Sequence, residues 1–168
     1  MSRNLVLLSV LLAVWTYGGS LVAQGTSKET CGTAKDVTSL AEKTLDGIRD
    51  KDITLLGAIA DPAGIYIGID SPLMSTAQFK KELAHKTGVY CTIFESCAQD
   101  GLKKSPAAPS LREQLMAQPT AISVSRVEGL PRLRDVVVER RTNPNEIVFT
   151  LVFQCARNHW TLVQIEYY

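Results

Sequence analysis

The chain has 168 residues with 18 Lys and Arg against 17 Asp and Glu, a formal net charge of +1. Residues 1–25 contain a single charged residue, Arg3, so residues 26–168 are electrically balanced. That balance gives no general electrostatic pull toward nucleic acid or an anionic membrane, and no nucleic-acid partner is expected.

The N-terminus carries Arg3, then an apolar run from Leu5 to Trp15, then small residues ending in Ala23-Gln24-Gly25. This is the order of a secretory signal. The Ala23-Gln24-Gly25 box sets the expected signal peptide at residues 1–25, with Ser20 and Ala23 as alternative cleavage points. The apolar run is short for a membrane span, which needs roughly 20 residues, so no membrane association is expected after cleavage. The expected address is secreted or periplasmic. Residues 26–34 read as a polar linker and residues 35–168 as a single α+β domain, long enough to bury its own core.

In chain order, Val37, Leu40, Ala41, Thr44, Leu45 and Ile48 recur at helical spacing. This predicts an amphipathic helix that frays near Gly47–Asp50. Asp52 is placed to cap a short second helix over 53–59. The turn ADPAG stops it, because Pro62 and Gly64 do not continue a helix. GIYIGI, 64–69, reads as a strand. In PLMSTAQFKKELAHKTG, Ser75 is an N-cap, Gln78 sits where a capping box needs it, and Met74 with Phe79 forms a hydrophobic staple. Gly88 is the expected left-handed end of that helix. VYCTIFE, 89–95, is predicted as a strand, and SLREQLMA, 110–117, as a short helix. TAISVSRVE, RLRDVVVERR, EIVFTLVFQC and WTLVQIEYY follow with short turns between them. They predict an antiparallel meander. EIVFTLVFQC is apolar on both faces and should be central. Helices followed by strands give an α+β class, helices packed on a curved antiparallel sheet of roughly four to six strands.

Four cysteines remain after residue 25: Cys31, Cys91, Cys97 and Cys155. An even count and an oxidising address point to disulfides. Zinc sites want closer pairs with histidines nearby, and a redox site wants C-x-x-C. Three connectivities are open. A strand at Cys91 would carry Cys97 away along the chain unless it ended at once, which weakens a local pairing without excluding it.

The order of elements resembles the nuclear-transport-factor-2-like superfamily, whose ketosteroid isomerases and polyketide cyclases form a cystatin-like cone. The residues that carry the likeness are IRDKDITLLGAIADPAGIYIGI, where a first helix ends and the chain enters strand one, and NHWTLVQIEY, the last strand. The chain resembles secreted bacterial members of unassigned function. The likeness implies homodimerisation through the sheet, and chemistry, where present, inside the cone. No catalytic residue transfers residue by residue, and no metal or cofactor motif is present.

From the residues themselves, Arg126 and Glu128 should share a face with Ile122 and Val124. Gln164 and Glu166 should share one with Trp160 and Leu162. A carboxylate in an apolar pocket would act as a base. Tyr66 and Tyr90, both placed in strands, would offer hydroxyl donors. Asp61 and Asp70 suit turns. His85 and His159 fall in solvent-facing positions. Arg132, Arg134, Arg140 and Arg141 cluster around Asp135 and Glu139, as a solvated strand edge would. The leading expectation is therefore a non-catalytic secreted domain that binds a small apolar ligand or a protein. The alternatives are a lyase, isomerase or hydrolase with an in-cone carboxylate, and a partner-docking protein with a filled cone.

Overall fold

The computed structural model describes residues 31–97 and 108–167. The signal-like segment and most of the polar linker lie outside these residues. The chain forms α1 (Ala34–Asp50), α2 (Ile53–Ile59), β1 (Tyr66–Ile67), α3 (Thr76–His85), α4 (Val89–Phe94), α5 (Leu111–Ala117), β2 (Thr120–Arg126), β3 (Leu133–Arg140), β4 (Asn143–Ala156) and β5 (His159–Tyr167). The five strands form one sheet in the order β1-β5-β4-β3-β2. Helices packed on a curved sheet make an α+β fold, as the sequence predicts. The meander β2 to β5 is antiparallel, and β4 lies at its centre. The short β1 departs from the expected antiparallel arrangement: it pairs with β5 in parallel. It enters from a helix on the same side of the sheet, so no hairpin dictates its direction.

The helices cover one face. Phe149, Leu151 and Phe153 of β4, Val136 and Val138 of β3, and Leu162 and Ile165 of β5 point into them and are fully buried. From the helical side come Val37, Ile48, Leu56, Phe79, Leu83, Ile93 and Phe94, all at or near zero exposure. The inner side of the cone is therefore packed with apolar side chains, which is the main stabilising term of such a fold.

Several local readings hold and several are corrected. Asp52 caps α2 through its carboxylate, which accepts from the Leu55 amide at 2.8 Å. Ser75 caps α3, but Gln78 does not close a capping box. Its amide donates instead to Glu82 at 2.6 Å. The left-handed residue that ends α3 is Lys86, with φ 56°, while Gly88 opens the next helix. The Glu82 carboxylate accepts from the Val89 amide at 2.9 Å, and a Cβ on Gly88 would lie 2.3 Å from that carboxylate. The backbone of Gly88, at φ 45° and ψ −102°, is one that glycine adopts readily.

The largest correction is α4. VYCTIF is a helix, not a strand. Val89, Tyr90, Ile93 and Phe94 are all buried, at i, i+1, i+4 and i+5, the single face of one helical turn and a half. Burial of that face against α3 and α5 outweighs the β preference of Val, Tyr, Thr and Ile.

The helix also settles the cysteines. Coiling Cys91 back shortens its reach to Cys97, and the two form a disulfide. Cys31 bonds to Cys155, tying the chain just before α1 to the end of β4. If chain entropy governs, the Cys31–Cys155 bridge, spanning 124 residues, stabilises by about 5 kcal/mol, and the bridge spanning 6 residues by about 2 kcal/mol. Paired Cys→Ala variants in urea unfolding at pH 7 should show that order. Equal losses, or the reverse order, would refute the loop-length account.

Candidate functional site

The candidate residues do not converge on one interior site. They divide between the two faces of the sheet, and a β-bulge decides how. Phe153 pairs with Leu162, but Val152 pairs with Gln164, so β5 carries one extra residue, Val163. The extra residue reverses the alternation. Trp160 and Leu162 face the helices, whereas Gln164 and Glu166 face the opposite side. The shared face expected from simple alternation is therefore broken at Val163.

On the outer face the register lines up Ser125, Asp135, Val152, Gln164 and Tyr66 in one row across all five strands. The neighbouring row holds Ser123, Val137, Thr150 and Glu166. The next holds Ala121, Glu139 and Ile147. No position in these rows is Lys or Arg. Three carboxylates thus surround a centre of Val137, Thr150 and Val152. Partial burial raises the pKa of Asp135. Burial raises that of Glu166 too, and the charge of Asp135 adds to it. Tyr66 is 39% exposed on the same face.

Tyr90 lies elsewhere. It belongs to α4 rather than to a strand, and it is 4% exposed. Its hydroxyl donates to Glu95 at 3.3 Å, its ring meets that of Phe94 at a 57° tilt with 5.0 Å between centroids, and Lys86 Nζ sits 5.8 Å from its centroid. Glu95 is held below its ordinary pKa, first by its hydrogen bond from Lys51. Tyr90 is thereby committed to the core.

Arg126 and Glu128 sit at the far end of β2, both exposed. Arg126 pairs across the ladder with Arg134 on the helix-facing side. The four arginines read as one cluster separate along β3. Arg132 and Arg134 lie at its start. Arg140 lies at its end, buried to 8% exposure, where it donates to Gln114 O at 2.7 Å and faces Glu146 at 3.3 Å. An eight-residue strand holds its two ends roughly 25 Å apart.

A surface cleft of about 420 Å³ opens between the end of β1, α3 and α4. It is lined by Ile67, Pro72, Leu73, Met74 and Val89, with Ser71, Gln78 and Glu82 as its polar members. Leu73 is 51% exposed at its edge. No run of residues flagged this cleft in the sequence. Its lining comes from three elements, and one of them, α4, reads as a strand. Among the described residues no group of His, Cys, Asp and Glu is placed to hold a metal ion. No helix among them is long and apolar enough to cross a membrane.

No family model and no curated protein matches the chain. Among solved structures, it is similar to an NTF2-like protein of unknown function from Pseudomonas putida KT2440, with 9% identity, a TM-score of 0.41 and coverage of 79% of this chain and 83% of that one. It is also similar to an NTF-2 like protein of unknown function from Silicibacter pomeroyi DSS-3, with 17% identity, a TM-score of 0.39 and coverage of 80% and 92%.

The raised carboxyls make a signed prediction. A carboxyl whose folded pKa lies above its unfolded value binds protons more readily in the fold. Its favourable contribution is complete below the unfolded value and is lost as pH rises through the folded one. Glu166→Gln and Asp135→Asn should each raise Tm at pH 7 by about 1–2 °C. The gain should vanish below about pH 4, where wild type is itself protonated. Thermal melts across pH 3–8 check this. A gain that persists unchanged at pH 3 would show that the charge is not the cause.

Proposed function

We propose that this chain is a secreted or periplasmic, non-catalytic domain that docks a protein partner bearing basic side chains on the outer face of its sheet. The observation that carries the reading is the composition of that face: Asp135, Glu139 and Glu166 around a Val and Thr centre, beside exposed Tyr66, with no cation in the paired rows. Unneutralised carboxylates on a partly apolar face are complemented by Arg and Lys. Such pairs guide encounter and set register, and an aromatic at the margin suits an interface. The other face is filled by the core, which leaves Glu166 outside the cone and Glu128 beyond a strand end. Neither is positioned as an interior base.

The signal-like N-terminus and two disulfides support the oxidising address. The homodimer implied by the resemblance would bring these like charges together through the same face. Self-association is therefore expected to strengthen as pH falls, and sedimentation velocity at pH 5 and pH 7.5 measures it. Tighter dimers at pH 7.5 would contradict the charge argument.

The docking test uses deca-arginine as the probe, by calorimetry in 20 mM and 200 mM NaCl. The variant D135N/E139Q/E166Q should bind at least about 10-fold more weakly than wild type at low salt. The control E42Q/D46N/D50N removes as much charge from α1 and should change binding by less than about 2-fold. If both variants weaken binding equally, only net charge matters and the face is not a docking surface.

A second reading rests on the 420 Å³ cleft: a small apolar ligand seated on Ile67, Met74 and Val89. Its size is within the range of small-molecule sites. An apolar fluorophore that binds wild type should lose affinity on Leu73→Glu but not on D135N/E139Q/E166Q.

A further inference from the structure

The helix-facing end of the sheet, opposite to the acidic face in charge, holds an arrangement that neither the core nor the proposed docking surface uses. Arg126 of β2 and Arg134 of β3 are direct cross-strand partners. Like charges in that relation are destabilising. Neither guanidinium has a carboxylate partner among the described residues. Arg134 is held in place by its own backbone surroundings. Its Nη1 donates to Pro131 O at 2.8 Å and to Leu133 O at 2.6 Å. Its Cζ lies 5.3 Å above the ring of Trp160, a cation–π contact that fixes the guanidinium plane. Trp160 in turn has a buried indole N–H with no acceptor, the single unsatisfied buried side-chain polar atom among the described residues.

Arginines outnumber acids among the described residues at this end. Arg157, in the β4–β5 turn, is at the same end, because Cys155 N donates to Arg132 O and so brings the two turns together. Glu128 is the nearest carboxylate in sequence, but it is exposed in the β2–β3 connection and pairs with neither arginine. Asp135 points to the other face. What the site lacks is an acceptor that carries negative charge.

We propose that Arg126 and Arg134, with Trp160 beside them, form a binding site for the oxyanion group of a small ligand, a carboxylate or a phosphate. Two guanidinium forks on adjacent strands match the spread oxygens of such a group. The bound charge removes the Arg126–Arg134 repulsion, and the ring of Trp160 under the Arg134 guanidinium lies close enough to report its arrival. The site is independent of the docking reading, since it uses the opposite face and the opposite charge.

Indole N–H resonances test it. The full chain carrying Trp15→Phe leaves Trp160 as the one indole signal. Inorganic phosphate and benzoate are titrated separately, with ionic strength held constant by NaCl. The expected result is a saturable shift of the Trp160 signal with a dissociation constant on the order of 1–10 mM for at least one of them. Arg126→Gln, an exposed position that should fold normally, weakens that binding at least about 5-fold, and Arg126→Lys recovers part of it. Arg134→Gln should abolish it. Tighter binding of phosphate identifies a phosphorylated ligand, and tighter binding of benzoate an organic carboxylate. A shift that is linear in both anions, or that is unchanged by Arg126→Gln, overturns the proposal.

Discussion

The fold depends on how Asp61 joins its helical half to its sheet. The residue is 7% exposed, and nearly every polar atom it has is engaged. Its amide donates to Leu162 O at 2.9 Å, and its carboxylate accepts from Thr161 Oγ1 at 2.5 Å and from the Ala63 amide at 2.8 Å. Its carbonyl accepts from the Gly64 amide at 3.0 Å and from the Thr76 hydroxyl. One residue thus ties the end of α2, the turn into β1, the start of α3 and the edge of β5. A buried carboxylate is tolerated when its hydrogen bonds are made. Here making them fixes the parallel docking of β1 on β5, because Ala60 bridges to Leu162 immediately before Asp61. In the sequence, Asp61 reads as an ordinary turn residue before proline. Its long-range partner, one hundred positions away, has no local signature.

That contrast describes what was legible. Elements specified by their own neighbours read correctly: the Val37 to Ile48 stripe of α1, the Asp52 and Ser75 caps, and the two-sided apolarity that puts β4 in the middle. The readings that failed are those where distant packing outvotes local preference. VYCTIF has strand-forming residues, yet its buried face exists only because α3 and α5 lie beside it. The disulfide question turned on the same segment. Cys91 and Cys97 pair less readily from a strand than from a helix, so the strand reading of this segment left the connectivity open where the helix decides it.

The candidate site was less legible than the fold, for a specific physical reason. Face assignment on a strand assumes strict alternation, and one inserted residue inverts everything beyond it. Val163 does this to β5. The apolar–polar alternation from Trp160 to Tyr167 changes phase at the adjacent pair Leu162-Val163, but no Gly or Pro marks a bulge there, and counting by twos from Trp160 runs straight through it. Glu166 consequently leaves the face of Trp160 and joins Asp135. The same bulge leaves Trp160 on the inner face with Arg134. A single backbone irregularity therefore assigns the last strand's polar residues to two separate surfaces.

The consequence is a charge separation through the thickness of one sheet. The balanced total of the chain conceals it, because net charge sums over faces that no partner meets together. Outward, the charged members of the paired rows are all acids; inward, at the β2–β3 turn end, two arginines pair across the strands. Both arrangements cost stability in the isolated domain, the first through carboxyls kept above their ordinary pKa, the second through like-charge pairing. Neither is needed to build the core, which closes with Phe149, Leu151 and Phe153 whatever the charges do. Costs that the fold does not require, concentrated on two surfaces and opposite in sign, are what binding would relieve. That is the physical ground for looking to partners and ligands outside the packed cone rather than to chemistry within it.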